Sequence, residues 1–370
     1  MFRIFITAKA LADAYLQDVS KSYEEQSEWF HILRKQREIY TIGYFIPSSD
    51  VFMEDDLSDS GIIAKMASAC GINIIPADEY LEDVKKDNSR VYDYPNAAFF
   101  LDVAPEVAEE IQKEYGVIFQ SSSFGIDTSV FTEECIELEF KQGNEVSGGW
   151  EELFKIQSKV PSNALCVIDR YLFCYDGQKN KFKPGKLINN GLDTIFLILK
   201  NALPSHFNGT YHFTVICDKN QITYHSFQTL QDILFKYVES ISKDKGYPIF
   251  AQLIAIDDTK AKNTHSLTHN RQVISNYHKM DFSNGVNAIW LQGKKKAIYT
   301  QSLQGKLLYS TGLKHLISQC PVDSITITQN TAKTILQQWM SDQNAYVEHF
   351  LYADNKGNTS IKNIENRLFL

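Results

Sequence analysis

The fold class is decided by residues 97–120, which read AAFFLDV at 97–103, PEVAEEIQKEY at 105–115 and VIFQ at 117–120. The two short apolar runs are typical of buried strands. Pro105 suits the first turn of a helix, and the residues after it alternate apolar and charged positions at helical spacing. A strand, a helix and a strand in direct succession predict a mainly parallel sheet of the α/β class.

The same alternation extends back to the amino terminus. Asp102 directly follows the apolar run at 97–101, toward the end of a predicted strand. Functional groups in parallel sheets gather at the carboxyl ends of strands, so Asp102 is a candidate functional residue. Residues 1–122 are therefore predicted to form one α/β domain. Its other predicted strands are at 2–8, 42–46 and 72–75, and its other predicted helices are at 22–37, 62–69 and 77–84.

A second α/β domain is predicted over residues 150–370, after an irregular, glycine-containing linker at 123–149. Three of its apolar strands are each followed by an aspartate, which brings Asp169, Asp218 and Asp257 toward one edge of a sheet. The predicted fold is thus two α/β domains, each with a mainly parallel or mixed sheet flanked by helices. The predicted strands are 164–168, 211–217, 248–256, 287–291, 297–300 and 324–328, and the predicted helices are 187–203, 227–241, 313–318 and 331–351.

Bulk properties narrow the class of protein. A length of 370 residues favours two domains, and a net charge of −8 argues against a protein that coats nucleic acid, because such binding needs a basic surface. Any contact with nucleic acid is therefore expected to be local. The six cysteines form no CxxC pair and fit a reduced cytoplasm, and no apolar run is long enough to span a membrane, so no membrane association is predicted.

Residues 268–290, THNRQVISNYHKMDFSNGVNAIW, carry the main candidate site. Interpreted as a strand from its first residues, the segment places His269 and Arg271 on one face. An imidazole beside a guanidinium suits a phosphate, since the arginine fork holds two oxygens while the histidine attacks, donates a proton or hydrogen-bonds. A structural or solvent-facing pair is the alternative, just as Asp169 and Arg170 can form an internal salt bridge.

The second domain combines an apolar strand ending in Asp-Arg-Tyr, a strand-helix-strand core and the late His-x-Arg pattern with an asparagine nearby. In this combination it resembles the phospholipase D-like superfamily. The resemblance implies that His269 is a nucleophile or acid, that Arg271 takes the cationic place, and that two copies meet in a homodimer. The candidate catalytic set is His269, Arg271, Asn276 (or, less well, Asp281) and Asp169. The candidate phosphate-binding set is Arg271 and Arg170, with Lys294 and Lys295 from the basic run that follows the segment.

The first domain resembles PIN-like nucleases in size, in strand and helix order, and in its acidic strand ends. That resemblance implies metal-assisted cleavage, with candidate ligands at Asp50, Glu54, Asp55, Asp56 and Asp102. The first strand ends in Ile6-Thr7-Ala8-Lys9, where the family has an aspartate. No metal and no other cofactor is therefore assigned.

These observations favour a protein that engages phosphodiesters, nucleic acid included. If it is an enzyme, it is expected to cleave them without metal through His269. The resemblances imply a bacterial, cytoplasmic protein of antiviral defence. A non-catalytic module that recruits a protein partner is the alternative, and a Mg²⁺ or Mn²⁺ nuclease in the first domain is a third. The chain has neither a Walker phosphate loop nor a Gly-x-Ser-x-Gly elbow, which disfavours nucleotide hydrolases and serine hydrolases.

Overall fold

A computed structural model gives the architecture, and two compact units emerge from its backbone contacts. The first contains Met1–Glu134 and Val160–Asn163, with Gln319–Thr328, and the second contains Cys135–Lys159, Ala164–Ser318 and Gln329–Leu370. The structure describes residues 2–26, 42–47, 59–70, 73–123, 134–140, 154, 161–173, 190–222, 227–256, 271–282, 289–292, 306–309, 313–319, 329–334, 337, 347–352, 358–359 and 366–369.

The first unit is built on a five-stranded parallel sheet with strand order β3-β2-β1-β4-β5. This confirms the predicted α/β class. Its strands are β1 (Phe2–Ile6), β2 (Ile42–Ile46), β3 (Asn73–Pro76), β4 (Ala97–Leu101) and β5 (Ile118–Ser121). Its helices are α1 (Ala8–Asp18), α2 (Asp59–Cys70), α3 (Asp78–Lys86) and α4 (Pro105–Tyr115), with 3₁₀ turns at Tyr23–Glu25 and Asn88–Asp93.

Both faces of the first sheet are covered. Phe5 stacks on Phe99 with ring centroids 4.8 Å apart, and both lie in one core with residues of α3 and α4. The neighbouring residue Ile4, which points to the other face, is also fully buried. Strands buried on two sides need unbroken apolar sequence, which is why AAFFL was recognisable as a strand.

The second unit contains a nine-stranded mixed sheet with order β16-β15-β9-β8-β7-β10-β11-β14-β6, and a separate pair, β12-β13. The central strands β7, β8 and β9 are parallel, whereas β10 and β15 run antiparallel to their neighbours. The strands are β6 (Glu134–Phe140), β7 (Ala164–Ile168), β8 (Tyr211–Asp218), β9 (Ile249–Ile256), β10 (Gln272–Ser275), β11 (His278–Phe282), β12 (Ile289–Gln292), β13 (Lys306–Tyr309), β14 (Leu313–Gln319), β15 (Val347–Tyr352) and β16 (Asn358–Thr359).

Two apolar clusters sandwich this second sheet. One contains Leu165 and Val167 of β7 together with the apolar faces of α5 (Asn190–Ala202) and α6 (Phe227–Lys245). The other contains Cys166 and Ile168 together with a carboxyl-terminal 3₁₀ turn at Arg367–Phe369. The alternation of β7 residues between the clusters follows from the two-residue period of a strand.

Asn366 fixes the carboxyl-terminal turn to the sheet. Its Nδ2 donates to the backbone O of Leu165 at 3.1 Å and to Oγ1 of Thr214 at 2.9 Å, and its Oδ1 accepts from the backbone N of Leu368. All four residues are buried, so the side-chain amide of Asn366 is hydrogen-bonded inside the core.

Three predictions of secondary structure are wrong in whole or in part. The segment expected as a helix at 313–318 is strand β14. The helix expected over 331–351 is confirmed at its beginning, where residues 329–334 are helical, and is wrong at its end, which is strand β15. The strand predicted over 2–8 ends at Ile6, and α1 follows it where no helix was predicted. In β15 the deciding contacts come from β9, which pairs with it from Val347 to Tyr352, and such distant pairing is invisible to local periodicity. The predicted strands at 297–300 and 324–328 lie outside the described residues.

Candidate functional site

The pairing of β10 with β7 creates the candidate site. Gln272, the first residue of β10, lies opposite Ile168, the last residue of β7. Arg271 is therefore brought beside the segment Asp169-Arg170-Tyr171. The Cζ atom of Arg271 lies 5.4 Å from the ring centroid of Tyr171, and the Cζ atom of Arg170 lies 5.6 Å from it. Both distances are within the range of cation–π attraction.

Two buried aspartates shape this edge of the sheet. Asp169 accepts a hydrogen bond at Oδ1 from the backbone N of Tyr171 at 2.8 Å. Asp218, at the end of β8, accepts at Oδ1 from the backbone N of Asn220 at 2.9 Å and at Oδ2 from Nε of Arg170 at 3.2 Å. Asp169 fixes the turn after β7, and Asp218 fixes the turn after β8 and orients the Arg170 guanidinium, so the contacts indicate a positioning role for both.

Among the residues that the structure describes at this edge, two guanidinium groups (Arg170 and Arg271) stand with two carboxylates (Asp169 and Asp218), and these four formal charges balance. Arg170 retains 17% of its side-chain surface in solvent, and Tyr171 is 38% exposed. A balanced site exerts little long-range attraction on an anion, and its grip on a phosphate depends on directional N–H donors at contact distance. The edge is therefore suited to recognising a phosphate that other contacts help to bring into place.

The backbone of Arg271 is unusual. Its φ is 21°, and among the described residues other than glycine it alone has a positive φ. Its carbonyl O accepts from the backbone N of Phe282 at 3.0 Å, which ties it to the far end of β11. A positive φ in an arginine costs energy and persists where neighbouring contacts enforce it, a feature common at binding and active sites.

The expected strand alternation holds within β10. Val273 and Ile274 lie in the two different apolar clusters on opposite sides of the sheet. Arg271, however, precedes the strand, and its positive φ interrupts the extended backbone on which the shared face with His269 was predicted. His269 itself lies outside the described residues, as do Asp257, Lys294 and Lys295.

Asn276 lies at the opposite end of β10 from Arg271. Its Oδ1 accepts from the backbone N of Ala164, the first residue of β7, at 3.1 Å, and the residue is 1% exposed. The two residues flank β10 and are five residues apart, which corresponds to roughly 16 Å at ~3.3 Å per residue of extended chain. The structure thus brings together Asp169, Arg170 and Arg271 and leaves Asn276 apart from them.

Asp281, the second choice for the third motif position, lies closer to the site. It is paired in register with Gln272, whose Nε2 donates to Oδ1 of Asp281 at 2.7 Å. Its Oδ2 atom also lies 3.1 Å from Nζ of Lys279. The side chain of Asp281 is therefore bound within the β10–β11 hairpin. Asp281 lies opposite Gln272, the residue that follows Arg271.

The first unit contributes one described member of the predicted acidic set. Asp102 follows β4, is exposed, and accepts a hydrogen bond from Oγ of Ser123. Asp50, Glu54, Asp55 and Asp56 lie outside the described residues. Within the part of the chain that the structure describes, no three histidine, cysteine, aspartate or glutamate side chains are grouped as a metal site would need.

Sequence reasoning missed Tyr171 as a site residue. Arg170 and Arg271 were both predicted, but the ring that lies near both guanidinium groups was treated as part of the strand end. The structure separates Tyr171, which stays exposed, from its neighbours Leu172 and Phe173, which are buried in the core, and no local signal in the sequence marks this difference. Exposure of a single aromatic cannot be distinguished from burial in a short apolar run.

Comparisons with protein-family models and with curated proteins assign no family to the chain. No model of a protein family matches the chain, and no curated protein matches it either. Across the described residues, none of the helices combines the length and the apolar character needed to cross a bilayer.

Proposed function

We propose that the protein engages phosphodiester-containing ligands, nucleic acid among them, at the edge formed by Arg170, Tyr171 and Arg271. The supporting observation is that two guanidinium groups from distant parts of the chain lie within 6 Å of one partly exposed aromatic ring. Guanidinium N–H groups match the spacing of phosphate oxygens, and planar groups suit the bases that accompany them.

Binding is tested with Arg271→Ala, measured by fluorescence anisotropy on a labelled oligonucleotide. Arg271 is the better choice because removal of Arg170 would leave the buried Asp218 carboxylate without its ion pair and destabilise the fold. The matched control is Arg90→Ala, which removes an exposed arginine paired with Asp93 in the first unit. Weaker binding by Arg271→Ala alone supports the proposal, and equal binding by both variants contradicts it.

The catalytic form of the proposal uses His269, two residues before Arg271. Its imidazole nitrogen attacks phosphorus and forms a P–N bond while the P–O bond to the leaving alcohol breaks, and the alcohol takes up a proton. Water then cleaves the P–N bond and restores the histidine. Arg271 stabilises the negative charge on the phosphoryl oxygens. A homodimer would supply the second histidine of the phospholipase D-like arrangement.

Turnover is tested by incubating single- and double-stranded DNA and RNA with the protein in EDTA. Wild type should release products, and His269→Ala should not. Equal products from the two proteins would remove His269 from the mechanism.

A non-catalytic interaction module is the second candidate. It is favoured by Asn276, whose side chain is occupied by the backbone of Ala164 instead of lying beside Arg271. In this case the protein co-purifies with a specific protein partner and shows no turnover in any of the four nucleic-acid incubations.

The proposed setting is the bacterial cytoplasm, as part of antiviral defence. Cys166 and Cys217 are buried and are not joined in disulfides, which fits a reducing compartment. Burial raises the pKa of the Cys166 thiol well above its ordinary value, so this cysteine remains protonated and unreactive.

A further inference from the structure

We infer that Tyr171 is a stacking platform for an unpaired nucleobase, so that the ligand of this edge is single-stranded nucleic acid. The inference rests on the proposed function and names its substrate class. Arginine contacts to phosphate carry no preference between a single strand and a duplex. The aromatic ring supplies that preference, because a base must leave its pair and its stack to lie on a protein side chain.

The first step of the argument is the exposure of Tyr171 beside buried neighbours. Leu172 and Phe173 enter the core, whereas Tyr171 keeps 38% of its surface in solvent. The difference is imposed by the turn after β7, which two hydrogen bonds to Asp169 hold in place. The Oδ1 atom of Asp169 accepts from the backbone N of Tyr171, and the carbonyl O of Asp169 accepts from the backbone N of Leu172 at 3.4 Å. The ring is thus held at the surface by a fixed backbone.

The second step is the surroundings of the ring. Arg170 and Arg271 place planar cationic groups 5.6 and 5.4 Å from its centroid, and Arg170 is held by its ion pair with buried Asp218. Bases stack on tyrosine rings and on guanidinium planes alike. The Tyr171 ring and the guanidinium groups of Arg170 and Arg271 are three planar groups, two in the turn after β7 and one directly before β10. Together they form a surface on which a base stacks while its phosphate contacts an arginine.

The third step is the charge balance of the edge. Among the described residues of this edge, Asp169 and Asp218 offset the two arginines, so that the electrostatic attraction of these four groups gives little affinity for the densely charged backbone of a duplex. Stacking is then the larger contribution, and it is available only where bases are unpaired. The acidic net charge of −8 acts in the same direction by disfavouring unspecific duplex binding.

The experiment compares three labelled probes of about 12 nucleotides, a length within the range of single-strand binding sites. They are oligothymidylate, an abasic strand with the same phosphate backbone, and a duplex. Wild type should bind oligothymidylate more tightly than the abasic strand and the duplex. Tyr171→Ala should weaken oligothymidylate binding about 5- to 150-fold, the range for loss of one stacked base, and leave abasic binding unchanged.

Two further variants separate stacking from other effects of the substitution. Tyr171→Phe keeps the ring and should bind oligothymidylate within about twofold of wild type, since stacking uses the ring face. Tyr23→Ala removes a tyrosine of the first unit that is 65% exposed and should have no effect. The melting temperature of each variant confirms that the chain is folded.

The outcomes distinguish the inference from the proposed function. If oligothymidylate binding depends on Arg271 but Tyr171→Ala binds like wild type, or if wild type holds the abasic strand equally well, the platform is refuted and the phosphate site stands. If no probe binds to wild type, the proposed function fails and the platform fails with it. Loss of binding in Tyr171→Phe as well would assign the effect to the hydroxyl and overturn stacking.

Discussion

At the scale of single residues, Asn276 illustrates how the fold can occupy a side chain that chemistry would also suit. Its Oδ1 is the acceptor for the buried backbone N of Ala164. Asn276→Ala should lower the free energy of unfolding by about 1–3 kcal/mol, because the N–H group is left buried without an acceptor. Urea denaturation measures the loss, and the exposed Asn88→Ala serves as control. Unchanged stability together with lost turnover would instead assign Asn276 to catalysis.

His278 makes a second prediction at this scale. Burial lowers its pKa to about 3, from 6.5 in the unfolded chain. Between these values the unfolded chain binds a proton that the folded chain does not, so stability is lost as the pH falls below 6.5, by ~1.4 kcal/mol per pH unit. Between pH 6.5 and about pH 5 wild type should therefore lose about 2 kcal/mol more than His278→Gln. Denaturation at the two pH values tests this.

The control for that measurement is His206→Gln, since His206 is exposed. It should show the same pH dependence of stability as wild type. If His278→Gln loses as much stability as wild type between pH 6.5 and about pH 5, His278 is not buried in its neutral form.

At the scale of elements, two helix ends offer a matched comparison. Gly116 ends α4 with a φ of 61°, and Gly246 follows α6 with a φ of 79°. A Cβ atom on Gly116 would lie 2.7 Å from the backbone C of Ser162, whereas one on Gly246 would meet nothing within 4 Å. Gly246→Ala should cost about 1 kcal/mol from backbone strain alone, and Gly116→Ala at least about 3 kcal/mol from strain and overlap together.

Chemical denaturation of the two variants measures this difference. Equal losses would show that the chain near Ser162 moves away without cost and would contradict the close approach.

The elements also show what the sequence can predict. Strands β4, β7 and β9 and helices α4 and α6 were predicted close to their observed bounds, because burial on two sides or one side leaves a strong local pattern. Strand β14 was mistaken for a helix, since LKHLISQ has apolar residues that fit both periods.

Only part of the candidate site could be predicted, because strand ends are visible in the sequence and the pairing of distant strands is not. Aspartates at strand ends follow from the parallel order of β7 and β8, so Asp169 and Asp218 were expected at one edge. The position of Arg271 depends on the antiparallel register of β10 against β7, which no local signal specifies. That register joined Arg271 to Tyr171 and separated it from Asn276.

At the scale of the whole molecule, the acidic net charge and the local arginine pair have to be weighed together. A chain with a charge of −8 repels nucleic acid at long range, so binding must come from contact at a small site. The affinity should then depend on salt only weakly, with a slope near −1 to −2 in log affinity against log salt concentration, because few phosphates are neutralised.

The most direct test of the central claim is this salt dependence, measured for a single-stranded oligonucleotide with wild type, Arg271→Ala and the control Arg90→Ala. If Arg271 contacts a phosphate, its removal should weaken binding at low salt and reduce the slope by about one, while the control matches wild type. An Arg271→Ala protein with the affinity and the salt slope of wild type would contradict phosphate binding at this edge.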